Sequence, residues 1–269
     1  MKDPIDRNRE LWDALVPVHL ASDFYDVEGF RAGRCTLDPI EVEELGDVQG
    51  RSLLHLQCHF GLDTLSWARR GARATGMDFS APAIEAARRL ADEAGLDARF
   101  LCSEIGQVAA SHRETYDIVF SSGGVLCWLP DLRPWAEAIA GWLEPGGVFY
   151  LREFHPVGGI FDDEHEGEPR LRYPYFPHAE PLVFEPDGLG SYADPDSPVD
   201  MASAEWSHPV SEILGALLGA GLRLDFFHEF DFISYKSHLF LEQGEDGRWR
   251  HPDHPGGLPL MFSLKMTKE

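Results

Sequence analysis

Cysteine is scarce in this chain of 269 residues: Cys35, Cys58, Cys102 and Cys127 are the only four, and no two form a C-x-x-C pair. That excludes a disulfide-stapled scaffold. Three of the four fall inside or beside expected strands, where a free thiol acts as a small buried hydrophobe. Basic residues are also thin: Lys and Arg total 23 against 46 Asp and Glu, a formal net charge of −23. Such a surface repels phosphate backbones and anionic lipid, which argues against a nucleic-acid substrate while leaving room for one local basic pocket. The plainest use of the charge is solubility. No apolar run nears the roughly 18 residues of a membrane span, and the opening MKDPIDRNRELWD has no apolar signal core. A cytoplasmic protein with no membrane partner is expected. Internal repeats and low-complexity tracts are absent too.

What is present is an alternation of strands and helices. Residues 1–50 read as a helical and looped cap, with Trp12, Leu15 and Val16 on one helical face. From Arg51 the pattern becomes regular. Ser52–Leu56 reads as a strand, Leu62–Arg70 as a helix, and Ala72–Met77 as a second strand stopped at Asp78. Ser80 is placed to cap a helix bearing Ile84, Ala87 and Ala91, which Gly95 ends. Ala98–Cys102 reads as a third strand, and Asp117–Phe120, a β-branched and aromatic run, as a fourth. Asp131 is placed to cap a helix with Trp135, Ile139, Trp142 and Leu143 on one side; a turn at Pro145-Gly146-Gly147 and a fifth strand, Val148–Phe154, follow. Such alternation predicts a parallel sheet covered on both faces by right-handed crossovers. Between His155 and Trp206 the pattern dissolves into Pro, Asp, Gly and aromatics. A stretch this long inside a domain is either functional or disordered, and Tyr173, Tyr175, Phe176, Phe184 and Tyr192 favour a packed lid. A helix at Pro209–Leu218 and strands at Leu222–Phe230 and Leu258–Met266 complete one domain, divided as 1–50, 51–154, 155–206 and 207–269.

The chemistry is expected at the loop Gln57–Gly61. In doubly wound sheets ligands sit beyond the strand C-termini, where the first strand-to-helix loop offers helix N–H groups and a positive dipole end. Asp78, at the end of the second strand, suits a ribose diol, because two acceptor oxygens can take both hydroxyl protons. A turn or helix-cap role is the plainer alternative for it.

At these residues the sequence resembles a family. LLHLQCHFGLDTLSWARRGA, ATGMDFSAPAIEAARRLA, ARFLCSE, YDIVFSSGGVLCWLPDL and WLEPGGVFYLREF look, in order, like the successive motifs of class I S-adenosylmethionine-dependent methyltransferases, within the small-molecule branch similar to quinone-biosynthesis methyltransferases. The resemblance covers about residues 50–154. It implies an α/β, Rossmann-like doubly wound seven-stranded sheet, mostly parallel with the last strand antiparallel, Leu258–Met266 being that strand. It also implies S-adenosyl-L-methionine as cofactor and a small-molecule acceptor. By position, Gly61 matches the last glycine of the first motif, Asp78 the ribose-binding acid with Phe79 beside the adenine, Glu104 and Ile105 the adenine contacts, and Ser121 and Gly123 the end of the fourth strand near the sulfonium. The sequence departs from the family at three places: His55 replaces the usual acid, and Gln57 and His59 replace the first two glycines. Non-glycine residues resist positive φ, so Gln57 and His59 are expected to offer side-chain hydrogen bonds instead.

Methyl transfer needs alignment and dryness more than acid–base help. If the acceptor carries a proton, His155, directly after the fifth strand, is the expected general base, with a turn before Pro156 as its plainer role. Trp12, His19 and Tyr25 are placed to close over the site and Trp128 to line an acceptor pocket, all equally compatible with ordinary packing. Asp162-Asp163-Glu164-His165-Glu166 reads as a solvated acidic face, and His251 with His254 lacks a second half, so no metal is expected. Two other classes stay open: a nicotinamide-dependent oxidoreductase, disfavoured because Gln57 and His59 would crowd a pyrophosphate, and a cofactor-sensing or partner-binding module that kept the fold without turnover. The oligomeric state is open.

Overall fold

The computed structural model describes residues 3–105, 112–188 and 190–269. The alternation becomes β1 (Ser52–Leu56), α4 (Leu62–Arg69), β2 (Arg73–Asp78), α5 (Ala81–Ala94), β3 (Ala98–Cys102), β4 (Tyr116–Ser122), α6 (Leu132–Trp142) and β5 (Leu143–Phe154). Before it stand α1 (Pro4–Ala21), α2 (Val27–Arg31) and α3 (Pro39–Leu45). After it come the short hairpin β6 (Leu182–Phe184) and β7 (Ser203–Glu205), then α7 (Val210–Gly219), β8 (Leu222–Phe230), the two-residue strands β9 (Glu242–Gln243) and β10 (Trp249–Arg250), and β11 (Met261–Lys268). The main sheet has seven strands in the order β3-β2-β1-β4-β5-β11-β8. β11 runs antiparallel to both neighbours and the rest are parallel. This is the Rossmann-like sheet expected, and the strand order reverses between β1 and β4, where the crevice opens.

Both faces of the sheet are covered, which is why its strands read as continuous apolar runs. On one face Leu54, Leu56 and Val119 pack under Trp135, Ile139 and Trp142 of α6 and Ile213 and Leu217 of α7. On the other, Leu53, Ile118, Phe120 and Tyr150 meet Trp67 of α4 and Leu45 of α3. The caps fall as expected: Ser80 accepts from the Ala83 N–H, Asp131 from the Arg133 N–H, and Gly95 ends α5 in the left-handed conformation.

Three local readings change. The Pro145-Gly146-Gly147 turn is a bulge inside β5: Leu143 pairs with Tyr116 and Val148 with Ile118, so the residues between are looped out of the ladder. The last strand starts at Met261 rather than Leu258. Of the cysteines only Cys58 is buried; Cys102, at the tip of the edge strand β3, is exposed, as is Cys35.

A buried asparagine is one of the ties between the segment 155–206 and the cap. Asn8 on α1 donates to the Ala204 carbonyl at 2.7 Å and accepts from the Ala204 N–H at 2.9 Å, using its amide as a strand uses a peptide. α1 and β7 are thereby fastened together over the carboxyl ends of the sheet. Among the described residues no helix is long and apolar enough to cross a membrane.

Candidate functional site

The loop after β1 takes three left-handed residues in alternation: Gln57 at φ 54°, His59 at φ 50° and Gly61 at φ 80°. A side chain in that region costs of order 1 kcal/mol or more and persists only when the surroundings enforce it. Here the Cys58 N–H donates to Met77 O (3.0 Å), the Gly61 N–H to Cys58 O (2.9 Å) and the His59 N–H to Asp78 Oδ2 (2.8 Å). Asp78 Oδ1 accepts from the Ser80 N–H at 2.9 Å. Asp78 therefore binds two loops together, while each oxygen keeps a second lone pair for another donor. Burial, which outweighs these N–H donors, pushes its pKa up to about 6, and Asp13 adds to the rise.

Two cavities meet over this loop. The smaller, about 280 Å³, is bounded by Asp78, Phe79, Glu104, Ile105 and Trp135. The larger, about 790 Å³, is bounded by Tyr25, His59, Gly61, Arg152, Tyr192, Glu205 and Tyr235. Trp12, Gln57, Ser122, Gly123, Gly124 and Trp128 line both. Trp12 stands edge-on to Trp128, with ring centroids 5.4 Å apart, and to His59 at 5.2 Å. Trp128 is held by its Nε1–H to Gly124 O (2.8 Å). Gln57 donates its Nε2–H to Val125 O (2.9 Å), and its buried Oε1 has no hydrogen-bond partner in the protein. A buried acceptor left unmet is costly, and this one lies in a wall common to both cavities.

The floor and roof come from residues the sequence did not flag. The carboxylate of Glu153, at the end of β5, accepts the N–H groups of Gly124 and Val125, both at 2.7 Å, which fixes the loop after β4. Arg9 on α1 pairs with Glu104 at 3.0 Å and lies 5.8 Å from the centre of the Phe79 ring. Spacing on a helical cap carries no sign that it will fold over a sheet, so Arg9 had no detectable signal. Glu153 stands beside the expected base His155, but a charged residue ending a strand is unremarkable.

Two expected residues are displaced. Ser121 is fully buried with an unpartnered hydroxyl and bounds neither cavity; its neighbour Ser122 does, because successive strand residues face opposite ways. His155 borders a separate cavity of about 210 Å³. Its Nδ1 accepts from the Val157 N–H at 3.1 Å, and its Nε2 lies 3.0 Å from Glu229, without hydrogen-bond geometry. The ring thus closes the turn before Pro156, its plainer role. Glu104 and Ile105 bound the smaller cavity, with Glu104 already paired to Arg9.

The pair His251 and His254 does acquire a third neighbour. Glu168 brings a carboxylate to the group, with ligand-type atoms within 4.8 Å and His254 Nε2 3.3 Å from Glu168 Oε2. His251 Nδ1, however, accepts from the Asp253 N–H at 3.2 Å. A neutral ring so bonded carries its proton on Nε2, which then offers no lone pair to a metal.

His19 lies behind the wall rather than in it. Its Nδ1 is 2.9 Å from His59 Nε2 and its Nε2 is 2.9 Å from Ser191 Oγ, joining α1, the first loop and the 155–206 segment. The Tyr25 and Tyr192 hydroxyls share a short hydrogen bond beside it. Burial lowers the pKa of His19 to about 4 and that of His59 well below its ordinary value. The unfolded chain binds these protons near pH 6.5, so stability is full above that pH and falls as the pH drops toward 4. For His19 alone the expected loss between pH 6.5 and 4.5 is about 2 kcal/mol. Urea unfolding at the two pH values should show a smaller fall in His19→Gln than in the wild type; equal falls would place the acid sensitivity elsewhere.

Comparison with known proteins adds the following. Residues 53–147 match the family model described as a methyltransferase domain. A ubiquinone biosynthesis O-methyltransferase of Cronobacter sakazakii is 30% identical over 154 residues, covering 55% of this chain and 63% of that relative. One of Klebsiella pneumoniae is 31% identical over 143 residues, covering 52% and 59%. The chain thus spans about three fifths of the length of these relatives. Among solved structures, an S-adenosylmethionine-dependent methyltransferase of Mesorhizobium loti superposes with a TM-score of 0.60 at 17% identity, covering 88% of this chain and 100% of that one. A protein described under the conversion of a disulfide bond into a thioacetal group during echinomycin biosynthesis gives 0.59 at 18% identity, covering 97% and 92%.

Proposed function

We propose that the chain is a class I S-adenosylmethionine-dependent methyltransferase, as the methyltransferase-domain match over residues 53–147 supports, and that it transfers the methyl group of S-adenosyl-L-methionine to a small molecule held in its larger cavity. The observation that carries this reading is the meeting of two cavities at one wall. The smaller cavity has what an adenosine needs: Phe79 and Ile105 for the ring, Asp78 for the ribose hydroxyls. At the wall, the unmet Gln57 Oε1 fits an ammonium donor, so the residues present suit the cofactor although two family glycines are missing. Gln57 and His59 keep the left-handed conformation of the glycines they replace, and with it the shape of the loop.

S-adenosylmethionine supplies, when bound, a methyl group on a positively charged sulfur. The chain supplies the rest. Trp12 and Trp128 narrow the wall between donor and acceptor and exclude water, and their π faces favour a nearby cation. Asp78, Gln57 and the Gly61 end of α4 orient one partner; the aromatic larger cavity orients the other. Alignment of this kind can supply most of the acceleration a displacement requires. The names of the relatives make oxygen the first acceptor atom to test.

Calorimetric titration with S-adenosylmethionine, S-adenosylhomocysteine and NAD tests the reading. Micromolar binding of the first two and none of NAD is expected, with affinity at least about 100-fold weaker in Asp78→Ala, since two charge-assisted hydrogen bonds are lost. Absence of adenosyl binding to the wild type would leave a fold without its cofactor. Because the carboxylate form of Asp78 is the better acceptor and its pKa is about 6, S-adenosylhomocysteine should bind several-fold more tightly at pH 7 than at pH 5. Asp78→Asn should flatten that dependence; an unchanged slope would exclude Asp78 as its source.

A further inference from the structure

The larger cavity carries acid that nothing on its walls neutralises. Asp63, Glu185, Asp200 and Glu205 line it, and none of the four pairs with a cation among the described residues. The guanidinium groups on the same walls are already taken: Arg34 is held by Asp26 at 2.9 Å and Arg152 by Glu41 at 3.0 Å, and neither of those acids lines the cavity. Burial keeps the two imidazoles on these walls neutral, pushing His55 down to about 3 and His59 well below its ordinary value. Three of the four acids come from one hairpin: Glu185 follows β6, Asp200 precedes β7 and Glu205 ends it. Glu185 and Asp200 are exposed at the mouth, and Glu205 is half-buried. Beside it the Trp206 N–H donates to Cys127 O at 2.8 Å, which fixes the inner end of the hairpin against the turn that carries Trp128. The acids thus lead from solvent toward the wall where donor and acceptor meet. A second observation is independent of charge. Phe24, Tyr192, Tyr235 and Phe154 form a chain of rings on the same cavity, with successive centroids 5.3, 5.9 and 5.5 Å apart and planes inclined by 81°, 47° and 56°. Rings set at such angles around one space present faces as well as edges to it, and a ring face attracts a cation.

We propose that the acceptor is a cation, an amine in its ammonium form, whose charge sits in this aromatic and acidic pocket while another atom of the molecule meets the donor at the Trp12–Trp128 wall. This rests on the methyltransferase reading above and names a substrate class for it. The charged end and the reacting atom must be different. Carboxylates around an ammonium raise its pKa and withhold its lone pair, which suits an anchor and not a nucleophile. The cofactor brings a positively charged sulfur to the same wall, so a cationic acceptor would be repelled unless acid outnumbered base around it, as it does here. An anionic acceptor would meet repulsion from the hairpin, and a neutral one would leave its carboxylates with water alone. The hairpin lies outside the stretch 53–147 that matches the domain model, so the preference belongs to the 155–206 segment. The net charge of −23 draws any cation toward this protein; the pocket gives one a fixed place, and the test separates the two effects.

The test compares the full-length wild type with two triple variants of equal charge change. One, Glu185→Gln with Asp200→Asn and Glu205→Gln, removes the acids of the hairpin. The other, Glu85→Gln with Asp92→Asn and Asp97→Asn, removes three exposed acids on and just after α5. Calorimetry with S-adenosylhomocysteine comes first. No binding to the wild type would remove the methyltransferase reading and this proposal with it; equal affinity in all three proteins is expected and shows that they are folded. Should the hairpin variant fail to bind, Glu205→Gln alone replaces it. The complexes are then titrated at pH 8, where Glu205, pushed up to about 7 by burial, is ionised. The probes are 2-phenylethylamine, 2-phenylethanol and phenylacetate, which share a ring and a short arm and differ in charge. The wild type should bind the amine at least about 10-fold more tightly than the alcohol, and phenylacetate more weakly than either. The hairpin variant should lose that preference and the α5 variant keep it, while Tyr235→Leu should weaken the amine more than the alcohol. If S-adenosylhomocysteine binds but the wild type does not prefer the amine, or binds none of the three, the cationic acceptor is wrong. If the α5 variant loses the preference as fully as the hairpin variant, the overall charge is its source and the pocket is not.

Discussion

Arg152→Met is expected to cost about 3–5 kcal/mol of folding stability at pH 8. Arg152 is nine-tenths buried near the end of β5. Its Nε–H donates to Glu41 Oε1 at 3.0 Å, and its Nη1 lies 3.7 Å from Asp38 Oδ2. Methionine would match much of its volume and leave those carboxylates without it. Asp38 keeps a second guanidinium, Arg248, at 3.1 Å; Glu41 pairs with no other cation among the described residues and lies near Asp63, which raises its pKa further. The penalty should therefore come mainly from Glu41, and its pH dependence has a definite sign. Burial already pushes Glu41 up to about 7 in the wild type, above its unfolded value, so its ionisation weakens the fold as pH rises through that range. Without Arg152 the ionised form becomes costlier still. The deficit should be largest at pH 8 and shrink toward pH 5.5, where Glu41 is protonated in both proteins. Guanidinium unfolding at the two pH values measures it. A deficit under about 1 kcal/mol at pH 8 would mean that water, not Arg152, compensates the acids.

The second large effect is at the first loop. Gly61→Ala should destabilise by about 2–4 kcal/mol. At φ 80° an alanine pays for the left-handed backbone, and its Cβ would come within 2.6 Å of the Phe100 ring and 3.0 Å of Ala87 Cβ. Phe100 is fully packed in the cluster beneath α5, so the ring cannot withdraw without opening a void elsewhere. The neighbouring Gln57 is strained in the same region of backbone space without such a collision. Gln57→Gly should therefore relieve up to about 1 kcal/mol of strain while removing the Oε1 acceptor and the bond to Val125. The expected signature is a split: Gly61→Ala lowers the melting temperature, whereas Gln57→Gly leaves it near the wild type and weakens adenosyl binding. A neutral Gly61→Ala would mean that the loop can adopt another path.

These two positions also show where the sequence could be read. Gly61, Asp78 and Ser80 were legible because their roles are local: each sits a fixed number of residues after a strand, and its partner is a backbone group nearby. The same locality made the seven strands legible, since burial on both faces leaves an apolar run that needs no knowledge of its neighbours. His155 and Ser121 were misplaced for a related reason. Position after a strand tells which end of the sheet a residue occupies, but not the side to which its side chain turns, and one residue of strand alternation separates Ser121 from Ser122.

Residue pattern alone determined the strands and the helix caps, because hydrophobic period and turn chemistry act over a few residues; the antiparallel direction of the last strand came from the family resemblance. Tertiary structure alone decided the rest of the site. Asn8 against Ala204, Arg9 against Glu104, His19 against His59 and Ser191, Arg152 against Glu41, and Trp206 against Cys127 are contacts between segments distant in the chain. Their energies depend on burial and mutual orientation, quantities that exist only once the cap and the 155–206 segment have closed over the sheet.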